Sequence, residues 1–233
     1  MGLADDLTSE VKRIFRDSWD RRDGRLVPEA DDLGLGNEAI SFDRATVLYA
    51  DLSGSTALVQ AREWHFAAEV YRAYLYCAAR LIRDAGGEIT AYDGDRVMGV
   101  FIDDLQSTNA TKCALRINYA VTKIINPALK VQYPSSGYAV KQVVGIDTSP
   151  IRVARTGVRG DNDLVWVGRA ANFAAKLTEL SLGPPTWITK AIFDKIANDA
   201  KYGGSNNELM WKSWNWSQQG DIPIYSSTWW WRF

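Results

Sequence analysis

The chain has 233 residues, enough for one α/β domain with an N-terminal extension. Hydrophobic residues make up 46% and aromatics 12%, so a full core can be buried. With 27 Lys and Arg against 28 Asp and Glu the net charge is −1, and the basic excess that draws a protein to nucleic acid or an anionic membrane surface is missing. Neither is therefore expected as a partner.

Residues 1–44 are charged, with a helix-like segment around 7–19 and an irregular acidic connection through 29–37. They read as an N-terminal helical arm, too poor in apolar residues to hold a core of their own. The start Met1-Gly2-Leu3-Ala4-Asp5-Asp6 lacks the basic and apolar runs of a leader. No apolar stretch approaches the roughly 20 residues of a membrane span. Cys77 and Cys113 sit in helix-like apolar patterns, as core thiols do. A soluble protein located in the cytoplasm is expected.

Residues 45–51 form the first expected strand, apolar and nearly continuous, as in a central buried strand. It ends in Asp51. The stretch Leu52-Ser53-Gly54-Ser55-Thr56 then opens into a small hydroxyl-rich loop. Residues 57–84 repeat apolar positions every three or four, predicting one long amphipathic helix stopped by Gly86-Gly87. Residues 88–92 and 96–101 form a hairpin around Asp93-Gly94-Asp95. A second helix is expected from about 107 to 125, ending before Pro127. Residues 139–146 and 151–156 read as a strand pair with a turn at Thr148-Ser149-Pro150. The segment 157–163 reads as a mobile loop or dimer arm.

Residues 162–167 lead through Gly168 into a third helix, 170–180. A short strand at 186–189, a short helix at 192–196 and two C-terminal strands, 209–216 and 222–231, complete the chain. The order β-α-β-β-α-β is the ferredoxin-like split βαβ pattern of an α+β domain over residues 45–233, with extra C-terminal strands.

Asp51 and Asp95 come from neighbouring strands beside a loop whose backbone N–H groups and hydroxyls suit phosphate. Together they describe a site for a divalent metal and a triphosphate, hence phosphoryl chemistry on a nucleotide. Asp51 lies several residues too early to cap the following helix. His65, the single histidine, fits a helix surface or core. The tryptophans Trp211, Trp214, Trp216, Trp229, Trp230 and Trp231 fit packing on a sheet or dimer face rather than a carbohydrate site.

Four motifs carry a family resemblance. They are Tyr49-Ala50-Asp51-Leu52-Ser53-Gly54-Ser55-Thr56, Asp93-Gly94-Asp95-Arg96-Val97-Met98, Val143-Val144-Gly145-Ile146, and the run Val167-Gly168-Arg169-Ala170-Ala171-Asn172-Phe173-Ala174-Ala175-Lys176-Leu177. In this order the chain resembles the catalytic domain of class III nucleotidyl cyclases, most of all the bacterial pyrimidine cyclases of Pycsar anti-phage systems. The resemblance implies two divalent cations, Mn²⁺ or Mg²⁺, on Asp51 and Asp95 with the Leu52 carbonyl as a further ligand. It implies that Ser53, Gly54, Ser55 and Thr56 hold phosphate oxygens and that Asn172 orients the ribose. Lys176 stands where the family carries Arg, giving charge without the bidentate fork. Lys212 matches a phosphate-binding lysine.

Purine cyclases read their base at positions held here by Ala91 and Val165, neither able to hydrogen-bond a base edge. Tyr49 and Arg96 are the expected replacements, limiting pocket volume to a pyrimidine. The resemblance thus implies a nucleoside triphosphate substrate, UTP or CTP with a lean to UTP, cyclised to its 3′,5′-monophosphate. A homodimer with shared sites is implied, as is a separate effector switched on by the cyclic nucleotide. The alternatives are an adenylate or guanylate cyclase with atypical base recognition, or an inactive nucleotide-binding sensor.

Overall fold

The computed structural model describes residues 2–180 and 183–233. Helix α1 (Leu3–Arg16) opens the chain and buries none of its residues. Strand β1 (Asp20–Asp23) then runs parallel to the start of β2 (Glu38–Ser53). Strand β2 therefore begins seven residues before the expected start at 45. Ile40 and Phe42 explain the extension, since both are buried with Leu33, Val153 and Trp166. Of the segment read as an arm, α1 stands off while residues 20–23 and 38–44 join the sheet.

After β2 the expected single helix is two, α2 (Ser55–Ala61) and α3 (Trp64–Asp84), broken at Arg62, whose backbone is extended. The hairpin β3 (Glu88–Asp93) and β4 (Arg96–Phe101) follows as expected. Helix α4 (Gln106–Tyr119) does not stop before Pro127. It passes through a π-helical turn, Ala120–Ile125, into α5 (Asn126–Gln132), where Pro127 occupies the first turn and its missing N–H is not needed.

Strand β5 (Lys141–Val158) is one unbroken strand of 18 residues where a turn at Thr148-Ser149-Pro150 was expected. Ser149 pairs with Ala45 and Ile151 with Phe42, so Pro150 faces a bulge in β2 and interrupts no ladder hydrogen bond. The glycine-rich segment is the tip of a hairpin, with β5 returning as β6 (Asp161–Val167). Then come α6 (Arg169–Thr178), β7 (Thr186–Thr189), α7 (Lys190–Phe193), α8 (Asn198–Lys201), a small ladder of β8 (Tyr202–Gly203) with β9 (Glu208–Leu209), β10 (Lys212–Trp216) and β11 (Ile222–Ser227). The last two strands are shorter than expected.

The main sheet runs β10-β11-β7-β5-β2-β4-β3, with β1 on β2 and β6 on β5. Its two faces follow the period of two along β2. Leu48, Ala50 and Leu52 point to α3 and α4, where they meet Tyr74, Ala78, Ile82, Cys113 and Ala114. Ala45 and Val47 point the other way, to Met98, Trp166, Ala170 and Ala174 under α6. Gly145 sets the second spacing: a Cβ there would lie 2.2 Å from the Ala174 carbonyl oxygen, so α6 rests on β5 only because that position is bare. Trp187 and Trp216 are buried, Trp214 lies against Trp187, and Trp229 and Trp231 pack on the main core. No helix among the described residues is long and apolar enough to cross a membrane.

Candidate active site

Two strands and a turn bring the carboxylates together. Asp51, near the end of β2, has Arg96 of β4 and Val143 of β5 as its ladder partners. Asp95 sits in the β3–β4 turn behind Gly94, whose φ of 60° lies in the left-handed region that glycine tolerates. Half-burial, and next the like charge of Asp95, push the Asp51 carboxyl up to about 6. Arg96, the Leu52 N–H and the Thr178 hydroxyl pull in the opposite direction. Oδ2 of Asp95 is buried and finds no hydrogen-bond donor among the described residues. Two crowded carboxylates, one with an orphaned oxygen, are matched by a cation, so these residues fit a divalent metal. No cluster of three or more His, Cys, Asp or Glu exists among the described residues, and the remaining ligands would have to be main-chain or substrate oxygens.

The main chain beside Asp51 offers the first of these. The Leu52 side chain is buried in the core, so the residue meets the site through its backbone. Ser53, Gly54, Ser55 and Thr56 follow at the surface, with Gly54 at φ 78° turning the chain into α2. Tyr74 of α3 lies beneath: its hydroxyl donates to the Asp51 carbonyl at 3.2 Å from a fully buried ring. Burial first, then Asp51 and Asp95, hold that phenol well above its ordinary pKa, so it remains a donor.

Tyr49 and Arg96 converge on the same face. Tyr49 lies two residues before Asp51 on the same face of β2. The Arg96 guanidinium stands 5.1 Å from the Tyr49 ring centroid, and its Nη2 donates to Asp93 Oδ2 at 2.7 Å. Ala91 and Tyr49 flank Met98 of β4 from its two sides, and Val165 is 40% exposed.

Among the described residues, the other expected site residues make no hydrogen bond or ion pair with Tyr49, Asp51, Asp95 or Arg96. Asn172 and Lys176 are exposed one turn apart on α6, and among the described residues neither side chain makes a hydrogen bond. Ala170, Ala174, Leu177 and Thr178, on the opposite side of that helix, are buried. Lys212 lies on β10, four strands and about 19 Å from β2. Its Nζ rests 4.6 Å from the Trp214 ring centroid.

Sequence reasoning missed the residues that hold α6 in place. Asp147 of β5 is fully buried and accepts from Arg169 Nε at 2.9 Å and Nη2 at 3.2 Å, and from the Thr189 hydroxyl. Arg169 also donates to the Thr148 carbonyl at 2.7 Å, and Ser149 Oγ accepts the Ala170 N–H at 2.9 Å. Burial nevertheless outweighs these partners and raises the Asp147 pKa. A carboxylate directly after Val143-Val144-Gly145-Ile146 was the available signal, because a charge inside an apolar strand requires a partner. Tyr74 and Thr178 carried no such signal; each fits a core-facing helix position.

No family model matches the chain. Among curated proteins it is 50% identical to a uridylate cyclase of Burkholderia cepacia, over 99% of this chain and 99% of that protein. It is 48% identical to a uridylate cyclase of Xanthomonas perforans, over 100% and 99%. Among solved structures, a bacterial light-regulated adenylyl cyclase superposes with a TM-score of 0.69 at 18% identity, covering 82% of this chain and 53% of that one.

Proposed function

The chain belongs to the uridylate cyclase branch of the class III nucleotidyl cyclases, and from that premise we propose that it converts UTP to 3′,5′-cyclic UMP and pyrophosphate. The pairing of Asp51 and Asp95, with the unpartnered Asp95 oxygen, carries the catalytic reading. Asp51, Asp95 and the Leu52 carbonyl would hold two divalent ions, Mn²⁺ or Mg²⁺. When bound, such ions acidify the ribose 3′-hydroxyl and neutralise the triphosphate. The 3′-oxygen attacks the α-phosphorus as the bond to the bridging oxygen breaks and pyrophosphate leaves. Ser53, Gly54, Ser55 and Thr56 hold the departing phosphates.

Asn172 and Lys176 point away from their own chain, which supports a head-to-tail homodimer in which they serve the partner's carboxylates. There Asn172 orients the ribose and Lys176 meets the charge growing on phosphorus. Lys212 reaches phosphate across the same interface. Arg96, pinned between Asp93 and Tyr49, fills space that a purine would need and offers donors to a uracil carbonyl. The product acts as a second messenger that switches on a separate anti-phage effector.

The test is incubation of the purified protein with Mn²⁺ and each of ATP, GTP, CTP and UTP, with products resolved by mass. Cyclic UMP from UTP alone is expected. Cyclic AMP or GMP would overturn the base-pocket reading, cyclic CMP the choice of uracil, and no product from any substrate the catalytic reading.

A further inference from the structure

Helix α1 is amphipathic yet wholly exposed. Leu3, Leu7, Val11 and Ile14 are 75%, 58%, 49% and 44% accessible. At about 100° per residue these four side chains fall within about 80° of arc, one narrow apolar seam. Asn37 Nδ2 donates to the Ile14 and Asp17 carbonyls at 3.0 and 2.6 Å, fixing the C-terminal end of the helix to the sheet and holding the seam outward. A 14-residue helix is marginal alone in water, so this one needs something on its seam.

Its charges name the occupant. The first eight residues carry Asp5, Asp6 and Glu10; the last six carry Lys12, Arg13 and Arg16. Side by side in the same direction, two copies would set acid against acid and base against base. Run antiparallel, they set each end against its opposite, with Leu3 level with Ile14, Leu7 within one residue of Val11 and Asp5 level with Lys12 of the second copy. We infer that α1 is a self-association element, pairing antiparallel with α1 of a second copy of this chain about a two-fold axis. The contact is independent of which nucleotide, if any, the site turns over.

Cysteine cross-linking of the full chain tests both partner and direction. In the antiparallel pair residue 3 of one copy meets residue 14 of the other, while the two residues 3 lie about 17 Å apart along the axis. A mixture of Leu3→Cys and Ile14→Cys chains under mild oxidation should give a covalent heterodimer, and either chain alone should not. Adding Leu7→Asp to both should abolish the cross-link, which separates pairing from collision. The wild-type chain controls for half-buried Cys77 and buried Cys113. Because residues 3 and 14 are exposed, neither substitution disturbs the core, and far-UV circular dichroism checks the helix. Cross-linking of the Leu3→Cys chain with itself would overturn the direction. A mixture that stays uncross-linked with its helix content intact would overturn the pairing itself.

Discussion

Replacing Asp147 with asparagine separates two forces that act on one buried carboxylate. The group is fully buried, its Arg169 partner is 47% exposed, and the balance of burial against partners raises its pKa. Loss of a charge-assisted hydrogen bond costs about 1.5–3 kcal/mol, but relief of the buried charge offsets part of it. Asp147→Asn should therefore cost only about 1–2 kcal/mol. Asp147→Ala, which also leaves a cavity and an orphaned Thr189 hydroxyl, should cost about 3 kcal/mol. The pH dependence carries the sharper test. With the folded pKa above the unfolded one, the native state holds a proton that the unfolded chain has already lost. The stability from this group is thus present at acid pH and is lost as pH rises through the raised value. Urea unfolding of wild type and Asp147→Asn, compared from about pH 4 to about pH 7, should show the wild-type advantage shrinking with rising pH. A wild-type advantage that grows with pH would refute the reasoning and make the Arg169 pair the dominant force.

Gly145→Ala, whose Cβ would meet the Ala174 carbonyl, should destabilise by about 1–3 kcal/mol or more in urea unfolding and lower kcat by displacing α6. Asp51→Asn should abolish cyclase activity while raising the melting temperature of the metal-free protein above about pH 6, because it removes a half-buried charge and, next, its repulsion from Asp95; Mn²⁺ should stabilise wild type and not the variant. Tyr74→Phe, which loses the hydrogen bond to the Asp51 carbonyl, should cost about 1 kcal/mol of stability and reduce kcat more than it changes KM. Mixing inactive Asp51→Ala and Lys176→Ala chains should recover activity from one complete site per heterodimer, and a mixture as inactive as its parts would refute the shared site.

The parts of the fold written in local periodicity were legible. The apolar run into Asp51 and the Asp93-Gly94-Asp95 hairpin imply neighbouring strands, and β2, β3 and β4 are neighbours in the sheet. What misled were residues whose local meaning is overridden by a distant partner. Ser149-Pro150 has the composition of a turn, but the bulge in β2 lets proline stay in a strand. Pro127 has the composition of a stop, but a π turn carries the helix past it. Ile40 and Phe42 were lost in a charged segment because their packing partners, Val153 and Trp166, lie more than a hundred residues later. Asp147 and Arg169 are likewise a pair only in space.

The unbroken course of β5 has a consequence for how such a chain can vary. Its 18 residues are keyed at once to β2 along most of their length, to β7 near the beginning and to β6 towards the end. Inserting a single residue inside it would turn every later side chain to the opposite face, exchanging buried for exposed positions against those partners together. Length change is thus confined to the tip at Arg159-Gly160, where the hairpin reverses and no ladder is keyed. Lineages can lengthen or shorten their reach there while the interior of the strand tolerates substitution only.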